Sequence, residues 1–193
     1  MRRGIQVVLF AATVGLVWSP VPASADGFVS PWVGTNFAND PGEGRGAFGV
    51  TAGGMGGGII GGEVDFGYSP NYFGDDRARF GSNNLMNLMG NLIVGIPIGG
   101  QRGAGIRPYV TGGLGWIRTE IDGPFNNDGL ENNDFAFNVG GGVMGYFNSH
   151  VGLRGDLRYM RTLNSDFGDS DFDPELGLGD FDFWRLSFGV VFR

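Results

Sequence analysis

Six charged residues occupy alternate positions in segments that otherwise alternate apolar with small residues. Glu63 and Asp65 are interleaved with Val64 and Phe66, and the other four charges recur later: Arg154, Asp156, Arg158 and Arg185. A period of two is typical of a β-strand with two unlike faces, so these charges share the face opposite the apolar one. A charge removed from water is costly unless it is paired. The chemistry that this pattern predicts is an internal ion-pair network.

Such a network has two possible uses. As a brace it fills and holds a narrow interior, and as a gate it controls a polar path for protons or small ions. If the strands close into a barrel of about eight strands, the fold predicted below, the interior is just wide enough for side chains. We therefore favour the brace.

The elements that carry these charges are eight short segments of alternating pattern. In the last one an apolar face is formed by alternate residues: Trp184, Leu186, Phe188, Val190 and Phe192. Such a face suits a strand whose outer side contacts lipid. The sequence predicts an all-β protein, an eight-stranded antiparallel up-and-down transmembrane β-barrel. The alternative is a soluble β-sandwich, which also has many short strands.

The predicted connections differ in length. Those after strands two, four and six are short, with turns at 53–58, 99–105 and 148–150, whereas 69–84, 120–134 and 164–180 are long and polar. Outer-membrane barrels have short periplasmic turns and longer external loops. This asymmetry predicts a barrel in the bacterial cell outer membrane with both termini in the periplasm.

The N-terminus has the features of a secretory signal peptide. Arg2 and Arg3 precede an apolar run over 7–18, which prolines end before the small residues Ala23 and Ala25. A membrane anchor needs about 20 apolar residues, and this run is shorter. We predict a signal peptide over 1–25, cleaved after Ala25, and a barrel domain over 26–193.

Composition excludes several classes of protein. The net charge is −7, every basic residue is an arginine, and cysteine is absent. An acidic chain without a basic stripe is a poor binder of nucleic acid, so no nucleic-acid partner is predicted. Without cysteine there is no disulfide or thiol chemistry.

The acidic segment before the last strand resembles the start of a calcium loop. Its acids are Asp166, Asp169, Asp171, Asp173, Glu175, Asp180 and Asp182. Pro174 stands where an EF-hand loop requires glycine, so no metal site is predicted. A solvated external loop is the simpler interpretation.

Enzymatic chemistry is not predicted. Activation of a nucleophile usually needs a histidine beside a serine or an acid, and the only histidine, His150, lies in a predicted periplasmic turn. The glycine runs are not phosphate loops, because no lysine exists to complete one. No cofactor is predicted.

Four stretches resemble the small outer-membrane proteins of the OmpA/OmpX-like β-barrel superfamily, the outer membrane protein β-barrel domain. They are Val29–Gly34, Gly62–Pro70, Arg107–Gly115 and Phe188–Phe192. The resemblance implies that the last strand carries the signal read by the outer-membrane barrel assembly machinery, here Phe188, Val190 and Phe192. Arg193 departs from the usual terminal aromatic residue.

The function predicted from these features is a structural or surface-interaction role in the outer membrane, with acidic external loops and a lumen plugged by side chains. The alternative is a narrow, porin-like passive channel for small or apolar solutes. The predicted partners are outer-membrane lipid and the assembly machinery. The sequence does not identify a partner of the external loops.

Overall fold

The alternating segments form strands because each offers an apolar face to the outside and a smaller or polar face to the inside. In the computed structural model the described residues are 25–38, 44–70, 72, 83–99, 103–121, 130–163 and 182–193. They form eight strands: Ala25–Phe37 (β1), Arg45–Gly56 (β2), Ile60–Pro70 (β3), Asn83–Gly95 (β4), Gly105–Ile121 (β5), Leu130–Tyr146 (β6), Val151–Thr162 (β7) and Asp182–Phe192 (β8).

Each strand pairs antiparallel with its sequence neighbours, and β1 pairs with β8 to close the sheet. The closing pairs run from Val29 with Phe192 to Phe37 with Trp184. The predicted eight-stranded antiparallel up-and-down barrel is confirmed, and the sandwich alternative is wrong, because one sheet closes on itself. Closure removes both free edges, which would otherwise expose unpaired backbone groups to lipid.

The barrel has two ends that differ in their connections. At what we call the turn end lie the connections 57–59, 96–104 and 147–150, together with the start of β1 and the end of β8. The opposite end, the loop end, carries the connections 38–44, 71–82, 122–129 and 163–181. Gly57 and Gly58, with φ of 59° and 71°, occupy the left-handed region that the turn after β2 needs.

Several predicted boundaries are wrong. β5 and β6 pair as far as Ile121 and Leu130, within the stretch 120–134 that was predicted as a loop. The connection 122–129 is therefore no longer than 96–104, and the length asymmetry rests on 71–82 and 163–181. Gly53–Gly56 likewise belong to β2 rather than to the turn. The cause is the same in each case, because ladder pairing continued through residues whose polarity or glycine content is typical of loops.

The outer surface carries an aromatic rim near the loop end. Its rings contact one another across strands: Phe48 with Tyr68, Trp116 with Phe135, Phe137 with Tyr159, and Tyr159 with Trp184. Amphipathic rings are enriched where a membrane-spanning surface meets the interface with water. Below the rim the exposed outward residues include the aliphatic side chains Leu92, Val110 and Val139.

Candidate functional site in the barrel lumen

The lumen is filled by three layers of side chains along the barrel axis. An apolar cluster at the turn end consists of Phe28, Met55, Ile93, Tyr109, Met144, Tyr146 and Val191. A second apolar cluster, at the loop end, consists of Leu85, Met89, Ile117, Ala136, Met160 and Phe183. Between them lie the buried charges predicted from sequence: Glu63, Asp65, Arg154, Asp156, Arg158 and Arg185. We call these six residues the charge layer.

Four members of the charge layer form a closed ring of alternating charge. Glu63 Oε2 accepts a hydrogen bond from Arg154 Nη2 at 2.9 Å, and Glu63 Oε1 accepts one from Arg158 Nη2 at 2.6 Å. Asp156 completes the ring, with Oδ2 3.0 Å from Arg154 Nη2 and Oδ1 2.6 Å from Arg158 Nε. Each charge in the ring thus has two partners of opposite sign.

The topology explains why Glu63 meets these arginines. Arg154, Asp156 and Arg158 occupy alternate positions of β7 and therefore face the lumen together. Glu63 lies on β3, which is diametrically opposite β7 in the closed order of eight strands. The ion pairs between Glu63 and the two arginines consequently span the lumen, across 91 and 95 residues of sequence.

The remaining two charges form a separate pair. Asp65 Oδ2 lies 2.6 Å from Arg185 Nη2, and Asp65 Oδ1 accepts a hydrogen bond of 2.7 Å from Thr51 Oγ1. The Arg185 guanidinium stacks over the Trp32 ring at 4.2 Å from its centroid, which is cation–π geometry. The structure therefore resolves the charge layer into a ring of four and a pair.

Uncharged side chains also bond to the charge layer, and sequence analysis did not assign them to the network. Tyr109 donates a hydrogen bond to Asp156 and accepts one of 2.7 Å from Arg154 Nε. Asn91 and Thr111 each donate to Glu63 Oε1 at 3.3 Å. All three stand at inward positions of β4 or β5, as the alternation of inward and outward residues along a strand predicts. Their hydrogen bonds to the charges depend on the closed barrel.

The carboxylates are better satisfied than the arginines. Each oxygen of Glu63, Asp65 and Asp156 accepts at least one hydrogen bond. Among the guanidinium groups, Arg154 Nη1, Arg158 Nη1 and Arg185 Nε and Nη1 have no hydrogen-bond partner within the described residues. The layer therefore holds its anions firmly and has donors to spare.

A further ionic cluster closes the turn end. Arg107 Nη2 and Arg193 Nη1 lie 3.9 Å and 3.8 Å from Asp26 Oδ2. The Arg193 guanidinium stacks over Tyr146 at 3.8 Å from its centroid, and its backbone N–H donates to the His150 carbonyl at 2.8 Å. Arg193 thus folds back over the mouth of the barrel.

Tyr72, in the connection after β3, covers the apolar cluster at the loop end. Its ring meets that of Phe183 edge to face, with centroids 5.8 Å apart. Burial, with a smaller contribution from the charge of Asp182, raises the pKa of Tyr72 to about 12. The phenol stays neutral at physiological pH, as its apolar surroundings require.

The other predicted residues lie apart from the charge layer. Phe188, Val190 and Phe192 face outward on β8, and Ala25 is the first residue of β1. His150 lies in the exposed 147–150 turn, where Ser149 Oγ is 2.9 Å from its Nδ1. The segment 1–24 and the acidic stretch 164–181 lie outside the described residues.

The described ranges have neither a membrane-spanning helix nor a cluster of metal-binding side chains. They contain no helix that is long and apolar enough to cross a membrane. Across the same ranges no three acidic, histidine or cysteine residues are grouped as metal ligands.

Solved structures with a similar fold are small barrels of the outer membrane. Neisserial surface protein A matches with a TM-score of 0.60 and 17% identity, over 87% of this chain and 97% of that one. Outer membrane protein OprG of Pseudomonas aeruginosa matches with a TM-score of 0.56 and 12% identity, over 88% and 96%. The N-terminal β-barrel domain of OprF from the same organism matches with a TM-score of 0.54 and 18% identity, over 87% and 98%.

These identities support the fold alone. No curated protein sequence matches the chain. The model of one family, described as the outer membrane protein beta-barrel domain, matches residues 9–192, which is nearly the whole sequence. The chain belongs to the outer membrane protein β-barrel domain family.

Proposed function

We propose that this protein is a structural or surface-interaction component of the bacterial outer membrane, with a lumen that is closed to solutes. The observation that carries the proposal is the three-layered lumen. A solute would have to displace an apolar cluster, then the ring of Glu63, Arg154, Asp156 and Arg158, then a second apolar cluster. A lumen filled in this way supports a brace rather than a pore.

The proposed orientation places both termini in the periplasm. The turn end carries the start of β1, the end of β8 and the short 57–59 and 147–150 connections, as is typical of the periplasmic side. The stretch 163–181, rich in acidic residues, then faces the outside and is the proposed surface for a partner. A signal peptide over 1–25, cleaved after Ala25, remains part of this proposal.

Assembly and chemistry complete the proposal. Phe188, Val190 and Phe192 lie on the outward face of β8, where the barrel assembly machinery can contact them before the barrel closes. No enzymatic activity is proposed, because the charge layer contains neither a histidine nor a cysteine and each of its carboxylates is paired with arginine.

The experiment that tests the proposal is single-channel recording of the refolded barrel beside the Arg154→Ala, Arg158→Ala double variant. We expect no steady conductance from either protein, because the two apolar clusters still close the lumen when the ring is removed. The double variant should instead lose stability, since it leaves Glu63 and Asp156 buried without their partners.

The alternative, a narrow passive channel, predicts a different result. If the ring is the gate, the double variant will conduct measurably more than the parent barrel. Asn138→Ala serves as the matched control, because it removes a buried polar side chain of the lumen that bonds to Asn91 and belongs to neither the ring nor the pair. Increased conductance in the double variant alone would refute the closed lumen.

A further inference from the structure

The seam that closes the barrel is interrupted at one place. Along β1 and β8, Val29 pairs with Phe192 and Trp32 with Gly189, but Ser30 and Pro31 between them form no pair with β8 in these fully described strands. On its other edge β1 pairs continuously with β2, including Pro31 with Val50. Proline has no N–H to donate, so the ladder to β8 is weakened at this point.

A groove of about 630 Å³ lies over this interruption on the outside of the barrel. Its floor lies at Gly145 on β6 and Gly155 on β7, two outward positions without side chains. Its walls are apolar and include Pro31, Val33, Val143 and Phe188. Its volume is within the range of small-molecule pockets, about 300–1,000 Å³. Val33 and Phe188 are 66% and 61% exposed, so described protein residues leave the groove open.

The surroundings of the groove identify the chemistry of its occupant. The lining side chains are apolar apart from Arg154. Arg154 borders the groove, but its guanidinium lies in the lumen, where it is bound to Glu63. Among the described residues that line the groove, no charged group faces it to hold a headgroup. In a chain of this family the outward face contacts the hydrocarbon of the bilayer, so the groove offers space to an acyl chain.

A second copy of the protein fits the groove less well. A twofold dimer places the same patch of each subunit against itself, and that patch must be self-complementary. Two concave surfaces facing each other would enclose a void, which loses contacts on both sides. A flexible acyl chain can follow the floor formed at Gly145 and Gly155.

We propose that the groove at the β1–β8 seam is a binding site for one acyl chain of a phospholipid, which covers the interrupted stretch of the ladder. Gly145 is the penultimate residue of β6, and Val190 lies two residues before the end of β8, so the site belongs to the turn-end half of the barrel. The choice of phospholipid over lipid A rests on the proposed orientation, which places this half in the periplasmic leaflet.

The test is native mass spectrometry of the barrel released from bilayers of palmitoyl-oleoyl phosphatidylethanolamine and phosphatidylglycerol. We expect the parent protein to retain one phospholipid and the Gly155→Leu variant to retain none. A Cβ at Gly155 would make only ordinary contact with the Phe188 ring, 3.5 Å away, so the leucine can enter the groove without moving the backbone. Gly112→Leu is the matched control, because Gly112 is an outward glycine of β5 away from the groove with similar free space, 3.5 Å to the nearest atom.

Other outcomes overturn the proposal. Equal retention of phospholipid by the parent and the Gly155→Leu variant would show that the groove is not the site. A parent dimer that Gly155→Leu dissociates would assign the groove to a second copy. Preferential retention of lipid A, when both lipids are offered, would place the site in the other leaflet.

A second variant and a second measurement guard against misfolding. Gly145→Leu fills another part of the floor, where a Cβ meets no atom within 4 Å. Heat-dependent mobility on a gel identifies folded barrel for each variant. Added phospholipid should raise the unfolding temperature of the parent and leave that of either groove variant unchanged. None of these results depends on conductance, so a failure here is distinct from a failure of the closed lumen.

Discussion

At the scale of single residues, the charge layer shows how strand parity controls chemistry. Parity placed Glu63 and Asp65 on the inner face, but it did not show that they have different partners. Glu63 joins the ring across the lumen, whereas Asp65, two residues away, pairs with Arg185. The choice depends on which strands face each other at each height, and that is a property of the closed barrel.

The Asp65–Arg185 pair can be tested by a double-mutant cycle. We expect Asp65→Asn to lower the free energy of unfolding by about 3–5 kcal/mol, because it leaves a buried guanidinium without its anion. Arg185→Met should also lower the free energy of unfolding, because it leaves the buried Asp65 carboxylate without its cation. The double variant should lose less than the sum of the two by about 1–3 kcal/mol, since neither charge then lacks a partner. Urea unfolding in lipid vesicles, followed by tryptophan fluorescence, measures all four proteins; additive losses would contradict a direct ion pair.

At the scale of elements, inward glycines allow neighbouring strands and lumen side chains to approach closely. A Cβ added at Gly49 on β2 would collide with the Phe66 carbonyl oxygen and with the Trp32 indole. We expect Gly49→Ala to lower the free energy of unfolding by about 1–3 kcal/mol, which is the usual effect of overpacking. Gly112 faces outward and has free space around it, so the free energy of unfolding of Gly112→Ala should stay within about 0.5 kcal/mol of the parent value. The same unfolding assay compares them, and equal losses would show that inner crowding at Gly49 is unimportant.

The last strand carries a prediction about assembly. We expect Phe192→Ala to slow barrel formation by the assembly machinery in proteoliposomes, while spontaneous refolding in detergent proceeds at the parent rate. Leu186→Ala is the control, because Leu186 lies on the same outward face of β8 but outside the proposed signal of Phe188, Val190 and Phe192. If the two variants slow machinery-dependent formation equally, the effect is loss of apolar surface and not recognition.

At the scale of the whole molecule, closure determines kinetic behaviour. With every strand paired on both sides, no edge is free to begin unfolding. We expect the refolded chain to migrate faster on a gel when unboiled than when boiled. The Arg154→Ala, Arg158→Ala variant should lose this difference at a lower temperature, because its ring no longer ties β3 to β7 across the lumen. Far-UV circular dichroism of the same samples checks β content, and a chain soluble without detergent and lacking the shift would contradict a closed barrel.

The sequence by itself determined the strands, their number and their two faces. This was possible because the period of two is a local property that every strand repeats, and because lipid outside and a narrow interior impose opposite demands on alternate residues. The same alternation predicted that six charged residues face the interior: Glu63, Asp65, Arg154, Asp156, Arg158 and Arg185. The outward position of Phe188 and Phe192 did as well.

Only the tertiary structure decided which residues contact one another. The ring across the lumen, the interruption at Pro31 and the groove over Gly155 depend on register and on closure between residues far apart in sequence. The true ends of β5 and β6 were also decided there, since pairing between the two strands extended each through residues of loop-like composition. Long-range pairing has no local signature, because its free energy arises between strands and not within them.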